Sequence, residues 1–251
     1  MQISKIKILS GNTLKILAAL FMMIDHIGVL LLPNLIILRV IGRLSYPIFA
    51  FMISEGARYT KNKLKYFSTI FALATICQIV FYIFSNGNLY MCILVTFSIS
   101  ILLIYAMNAA KRAWFDEGSK PINRILLTVL FFASLVLTYF LNQWVSIDYG
   151  FIGCIAPVFA SLFDFREIKA PKNLKLLDNL TIRVLTFAIP MLIMAIESRP
   201  LQYFGLISIV ILLMYSEKRG KYNLKYFFYL FYPMHLVFLE GIYILISITS
   251  R

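Results

Sequence analysis

Charge is scarce in this sequence and leans one way: 14% of its 251 residues are charged, with Lys and Arg outnumbering Asp and Glu 24 to 11. A chain so poor in charge and 61% hydrophobic is not a soluble globular domain, in which apolar residues make up about half. Cysteine is nearly absent as well. Cys77, Cys92 and Cys154 stand far apart in apolar stretches, which suits packing and leaves no metal-ligand or disulfide spacing. The sequence has no Gly-rich phosphate loop, no His-Glu-x-x-His and no Gly-x-Ser-x-Gly elbow, so the chemistries tied to those motifs are not expected. A net charge of +13 would suggest nucleic acid for a soluble protein. Here the basic residues fall in short loops between apolar runs, where they encode membrane orientation, and no nucleic-acid partner is expected.

What is present is a series of apolar runs, near 13–32, 40–57, 66–84, 90–108, 125–142, 150–164, 182–197, 201–215 and 226–247. They predict an all-α polytopic membrane bundle of about nine helices, forming one domain over 1–251. The segments 182–197 and 201–215, parted only by Ser198-Arg199-Pro200, are short and the weakest of the nine, and read as a hairpin or a re-entrant pair. The first run is longer than a signal-peptide core and ends in Leu32-Pro33-Asn34, so it is expected to be a retained helix. Nine alternating crossings put 20 of the 24 basic residues on one side, leaving Arg39, Arg43, Arg199 and Arg251 on or toward the other. The positive-inside rule then predicts an inner-membrane protein with its N-terminus in the cytoplasm and its C-terminus outside. A simple outer turn is expected at Ser85-Asn86-Gly87-Asn88.

Against this background the ionisable residues inside the runs stand out, because burying charge in hydrocarbon is costly and usually functional. Asp25-His26 lies within the first run, and His26 and His235 are the only histidines. Lys15 precedes His26 by eleven residues and Lys225 precedes His235 by ten, so on outward-running helices both rings stand roughly 15–17 Å above their lysines, near the bilayer middle. A buried imidazole is a candidate general base; the alternative is a pair that only ties helices together. Arg39 and Arg43 share one face of the second helix, with Arg39 expected as an interfacial anchor. Arg43 lies deeper and is expected to pair with Asp25 or Asp148, or to line a wet cavity. Glu55 reads equally as a snorkelling, capping or functional residue. Asp148 opens the sixth run, where an acid is ordinarily stabilised by the helix dipole. Pro233 favours a kink beside His235 and Tyr232, suggesting a cavity there, although aromatic residues in such a helix are more often packing.

These pieces together resemble the TraX family of membrane acetylases. The matching stretches are Leu14 to Ala18 with Met23-Ile24-Asp25-His26-Ile27-Gly28; Ile41-Gly42-Arg43-Leu44-Ser45-Tyr46-Pro47 onward with Glu55-Gly56 and Thr60; Asp148-Tyr149-Gly150; and Tyr229 to Leu236. The family is similar to the wider group of integral-membrane acyltransferases, whose first helix carries a basic residue and, after ten intervening residues, a histidine. Lys15 and His26 reproduce that spacing. One departure is Leu89 to Thr96, where an Asn-led motif is expected and only Asn88 comes near.

The resemblance implies transfer of an acetyl group from cytoplasmic acetyl-CoA to an amine or hydroxyl of an extracytoplasmic or membrane acceptor. His26 supported by Asp25 would be the base, Arg43 the oxyanion partner and His235 an orienting residue. Asp148 and Tyr232 are the candidate acceptor contacts. The inner basic residues Lys61, Lys63 and Lys65 are the candidates for the donor's phosphates, with Lys218, Arg219 and Lys221 next. Membrane lipids, acetyl-CoA and an acceptor are the expected partners, and no metal is required. A proton-coupled transporter or flippase would also use buried His, Asp and Arg, but more naturally shows paired broken helices in two related halves. A non-catalytic assembly factor leaves both histidines unexplained.

Overall fold

The computed structural model describes residues 7–84, 87, 89–198 and 200–249. Lys5, Arg199 and Arg251 of the charge count, and the expected outer turn apart from Gly87, lie outside the described residues. Eleven α-helices follow one another: α1 Gly11–Leu30, α2 Ile36–Gly42, α3 Ser45–Tyr59, α4 Lys63–Phe84, α5 Ile93–Phe115, α6 Pro121–Trp144, α7 Gly150–Ala160, α8 Lys172–Lys175, α9 Leu180–Ser198, α10 Ile207–Leu213 and α11 Lys225–Thr249, with a 3-10 segment Pro200–Leu206 before α10. Among the described residues β-pairing is limited to two isolated bridges, Leu9 with Tyr215 and Met91 with Ile147. The all-helical membrane bundle expected from the sequence is what is found.

Among the described residues seven helical segments are long and apolar enough to span a membrane, with α2 and α3 together making one of them. The expected count of nine is corrected at 150–164 and 201–215. Helix α7 has 11 residues, a rise of roughly 16 Å against a core of about 30 Å. Its end has a clear cause: the Lys111 ammonium donates to the Ser161, Leu162 and Asp164 carbonyls at 3.0, 3.2 and 3.1 Å, gathering the chain into a turn. At 201–215 the 3-10 segment Pro200–Leu206 takes up the first six residues, so α10 is only seven residues long.

The chain divides into two compact units. The first takes residues 1–52, 75–88 and 191–251; the second takes 53–74 and 89–190. In the first unit, Ser10 caps α1, its hydroxyl accepting from Thr13 N at 3.2 Å. The Gly11 and Asn12 amides, which the helix itself leaves without partners, donate to the Lys218 and Arg219 carbonyls at 2.8 and 2.9 Å. The loop delivering those carbonyls turns at Gly220, whose φ of +103° suits glycine. Helices α1 and α2 pack closely through two glycines: a Cβ on Gly42 would fall 2.2 Å from Asp25 Oδ1, and one on Gly28 2.9 Å from Leu38. The Ser45 hydroxyl donates to the Ala18 carbonyl at 2.8 Å, fixing the start of α3 against α1.

In the second unit α5, α6 and α7 enclose a core of Leu103, Ile104, Met107, Ile147, Cys154 and Val158. Helix α6 begins with Pro121, a residue suited to the first turn, and leaves Leu126, Val129, Leu130 and Leu137 exposed. Exposed leucines in this density are costly in water and normal against lipid.

Candidate functional site

The two histidines meet in the first unit. His235 Nε2 lies 3.1 Å from His26 Nδ1, with the ring centroids 5.0 Å apart. The backbone assigns the tautomers. His235 Nδ1 is 2.9 Å from the Phe231 carbonyl, which can only accept, so this nitrogen carries the proton and Nε2 the lone pair. His26 Nδ1 must then donate to it, and the Met22 carbonyl one turn back faces the same ring. His26 Nε2 is left with the lone pair.

Phe231 stacks on His235 at 5.1 Å and 8°, and Tyr232 meets it edge-on at 6.2 Å. Tyr232 is itself buried against Phe49 at 5.4 Å. These aromatics enclose His235, which is 3% exposed, while His26 is only half-buried.

Asp25 faces another way. Adjacent helical positions diverge by about 100°, and this carboxylate is turned to α2, where Arg39 donates to it at 2.6 Å. Arg43 stands 3.9 Å from its other oxygen. Arg39, expected as an interfacial anchor, is thus the close partner, because α2 lies against α1 and turns Arg39 toward Asp25. Asp25 Oδ1 and Arg43 Nε have no hydrogen-bond partner among the described residues, so Arg43 retains donor capacity beside the histidine pair's helix.

Of the remaining sequence candidates, Lys218, Arg219 and Lys221 lie in the first unit, and Glu55, Lys61, Lys63, Lys65 and Asp148 in the second. Asp148 accepts from the Tyr90 hydroxyl at 2.8 Å, and its carbonyl accepts from Thr96 at 2.8 Å. The N-cap of α7 is Tyr149, with φ 59°, rather than Asp148. Lys61 and Lys65 are exposed, while Lys63 lies 3.8 Å from Glu167. Glu55 is fully buried in an ion pair with Arg183, a residue the charge count assigned to orientation.

Sequence reasoning also missed the clamp on Arg58, whose guanidinium donates to Asp164 at 3.0 Å and Asp178 at 2.5 Å across more than a hundred residues of chain. Burial pushes the Asp164 carboxyl above the usual carboxylate range, and the Arg58 charge opposes that shift. No local spacing advertises such a contact; the only signal was an arginine at a helix end and two acids in one loop.

Comparison with known proteins places this geometry in context. A family model described as TraX protein matches residues 10–243. A probable fimbrial assembly protein, FimC of Dichelobacter nodosus, is 26% identical over 255 residues, covering 92% of this chain and 94% of that protein. An uncharacterized protein of Rickettsia prowazekii (strain Madrid E) is 30% identical over 139 residues, covering 55% of this chain and half of that relative's length. No solved structure matches.

Proposed function

This chain belongs to the TraX family, and from that premise we propose that it is an integral-membrane acetyltransferase using acetyl-CoA. The observation that carries the proposal is the contact between His26 and His235, which leaves a lone pair on His26 Nε2. His26 Nε2 removes the proton from an acceptor amine or hydroxyl as that group attacks the thioester carbonyl. Arg43 stabilises the oxyanion, and Asp25 with Arg39 holds α2 so that Arg43 stays in place. When the carbon–sulfur bond breaks, His26 returns its proton to the thiolate; the products are acetylated acceptor and CoA thiol. His235 is a positioning residue that fixes the tautomer and plane of His26.

The donor enters from the cytoplasmic face, because its phosphates cannot enter hydrocarbon cheaply, and Lys61, Lys63 and Lys65 are the first candidates to meet them. In this reading the N-terminus lies in the cytoplasm, which the basic residues of the loops support. The fimbrial name of one relative favours a pilus or fimbrial subunit as acceptor. Asp148 and Tyr232 remain the candidate acceptor contacts, with Tyr232 packed beside His235.

The test is purified protein with labelled acetyl-CoA and subunit peptides. Release of free CoA with label in the peptide is expected, and both signals are lost in His26→Ala. Movement of a solute across proteoliposomes with no acyl transfer would replace this reading with the transporter.

A further inference from the structure

In the second unit, the end of α3, the start of α4 and the end of α5 meet the loop after α7 at a small polar cleft, lined by Arg58, Lys63, Asn108, Arg112, Asp164 and Glu167. Two of its cations converge on one oxygen. Arg112 donates to Glu167 Oε2 at 3.2 Å, and the Lys63 ammonium lies 3.8 Å from the same atom. Glu167 is 53% exposed at its side chain, whereas Arg58 at the cleft wall is only 9% exposed. The Glu167 carboxylate therefore sits at the mouth, where rotation of its side chain removes it without moving the backbone.

The backbone around it is fixed. Phe165 and Ile168 on either side are buried, the Phe165 amide donates to Asp178, and the Arg166 amide donates to Asp164. Behind the mouth the donors are not exhausted: Arg58 Nε and Arg112 Nε lack partners among the described residues. Arg58 is neutralised by Asp164 and Asp178. Glu167 is the carboxylate that both Lys63 and Arg112 face, with Asp164 acting on Lys63 from further off, so displacing it leaves two cations directed at one point with less than their full counter-charge.

We propose that this cleft is a phosphoryl-binding site whose place is held by Glu167, a carboxylate the incoming phosphate displaces. A carboxylate places one oxygen between the two cations and leaves the guanidinium Nε donors idle. A phosphoryl group carries up to two negative charges and three acceptor oxygens, enough for Lys63, Arg112 and an Arg58 Nε–H together. The phosphate comes either from a water-soluble nucleotide or from a phospholipid headgroup. The first source rests on the acetyl-CoA reading above; the site itself does not.

The test measures binding rather than turnover. Full-length protein in nanodiscs of phosphatidylcholine alone is titrated with inorganic phosphate and separately with CoA, and a parallel set of discs contains phosphatidic acid with bound lipid counted after exchange. Glu167→Gln is expected to tighten binding of at least one probe by about tenfold, as removal of a competing charge predicts, and Arg112→Gln to weaken it by at least as much. All variants should melt with the parent protein, since Glu167 and Arg112 are both well exposed. A response to CoA and phosphate assigns the soluble source, and a response confined to phosphatidic acid assigns the headgroup. His26→Ala should retain the binding, so loss of acetyl transfer and loss of this site are read separately. If Glu167→Gln and Arg112→Gln leave all three probes unchanged, the cleft is a closed ion-pair network and the proposal is wrong.

Discussion

The two units bury charge in different ways. In the second, Arg58 is held by two carboxylates, Lys111 by three carbonyls, and Arg183 by Glu55, so each cation is matched and each ties distant segments together. In the first, the ionisable groups around His26 are matched incompletely: Arg43 reaches Asp25 only at 3.9 Å, Asp25 keeps one oxygen unbonded, and the histidine chain ends in a lone pair. Atoms without partners occur in both units, Arg58 Nε and Arg112 Nε of the second among them. What the first unit alone holds is the pair of imidazoles, one of them with a free lone pair, which is the physical reason for putting the chemistry at His26 and not at the more numerous ion pairs.

Four experiments sharpen or break this contrast. The largest effect is expected for His26→Ala, which should lower acetyl transfer by about 10²–10⁴-fold while the melting temperature stays near that of the parent. A melting temperature that falls with activity would make His26 a structural tie like those of the second unit. Next, Arg183→Met should destabilise by about 3–5 kcal/mol, because it strands a buried Glu55 carboxylate, and the added change Glu55→Met should recover much of the loss. Thermal unfolding in detergent reads both; equal melting of single and double variants would show that the pair is not what stabilises this core.

Smaller and more diagnostic is the comparison of Arg39→Gln with Arg43→Gln. The first should cost more stability and the second more turnover, seen as a fall in kcat with little change in acceptor KM. The reverse pattern would exchange their roles. The smallest effect is expected for Ser10→Ala, about 0.5–2 kcal/mol from loss of the cap on α1, with kcat unchanged once folded.

Much of the frame was legible because hydrocarbon imposes simple rules: long apolar runs become helices, and helices in membranes leave few alternatives. The two histidines were also legible, since the rise per residue set both at one depth. Their contact was not, because depth says nothing about azimuth, and the orientation of His235 depends on a single carbonyl four residues back. Arg39 was misjudged for a related reason. Read on one continuous helix it falls at the membrane edge, whereas the break between α2 and α3 leaves a short helix packed on α1 through Gly42. Arg58, Arg183 and Lys111 looked like orientation signals because loop charge and buried charge are the same letter in a sequence. Only chain folding over a hundred residues or more tells Arg58 and Arg183 apart from such signals. The cleft around Glu167 shares that origin, being built from three helix ends and a loop.

The carbonyls of Lys218 and Arg219 that finish the start of α1 come from the other end of the chain, as does His235. During synthesis α1 therefore enters the membrane with its first turn unfinished and its imidazole unaligned, and stays so until the last helix arrives. Closing so long a loop is entropically slow but adds little cost per further residue. The order of assembly acts as a safeguard. A ribosome-bound or prematurely ended chain can hold every residue through α10 and still lack the ring that orients His26, so on the proposed reading unfinished copies would not act on the donor.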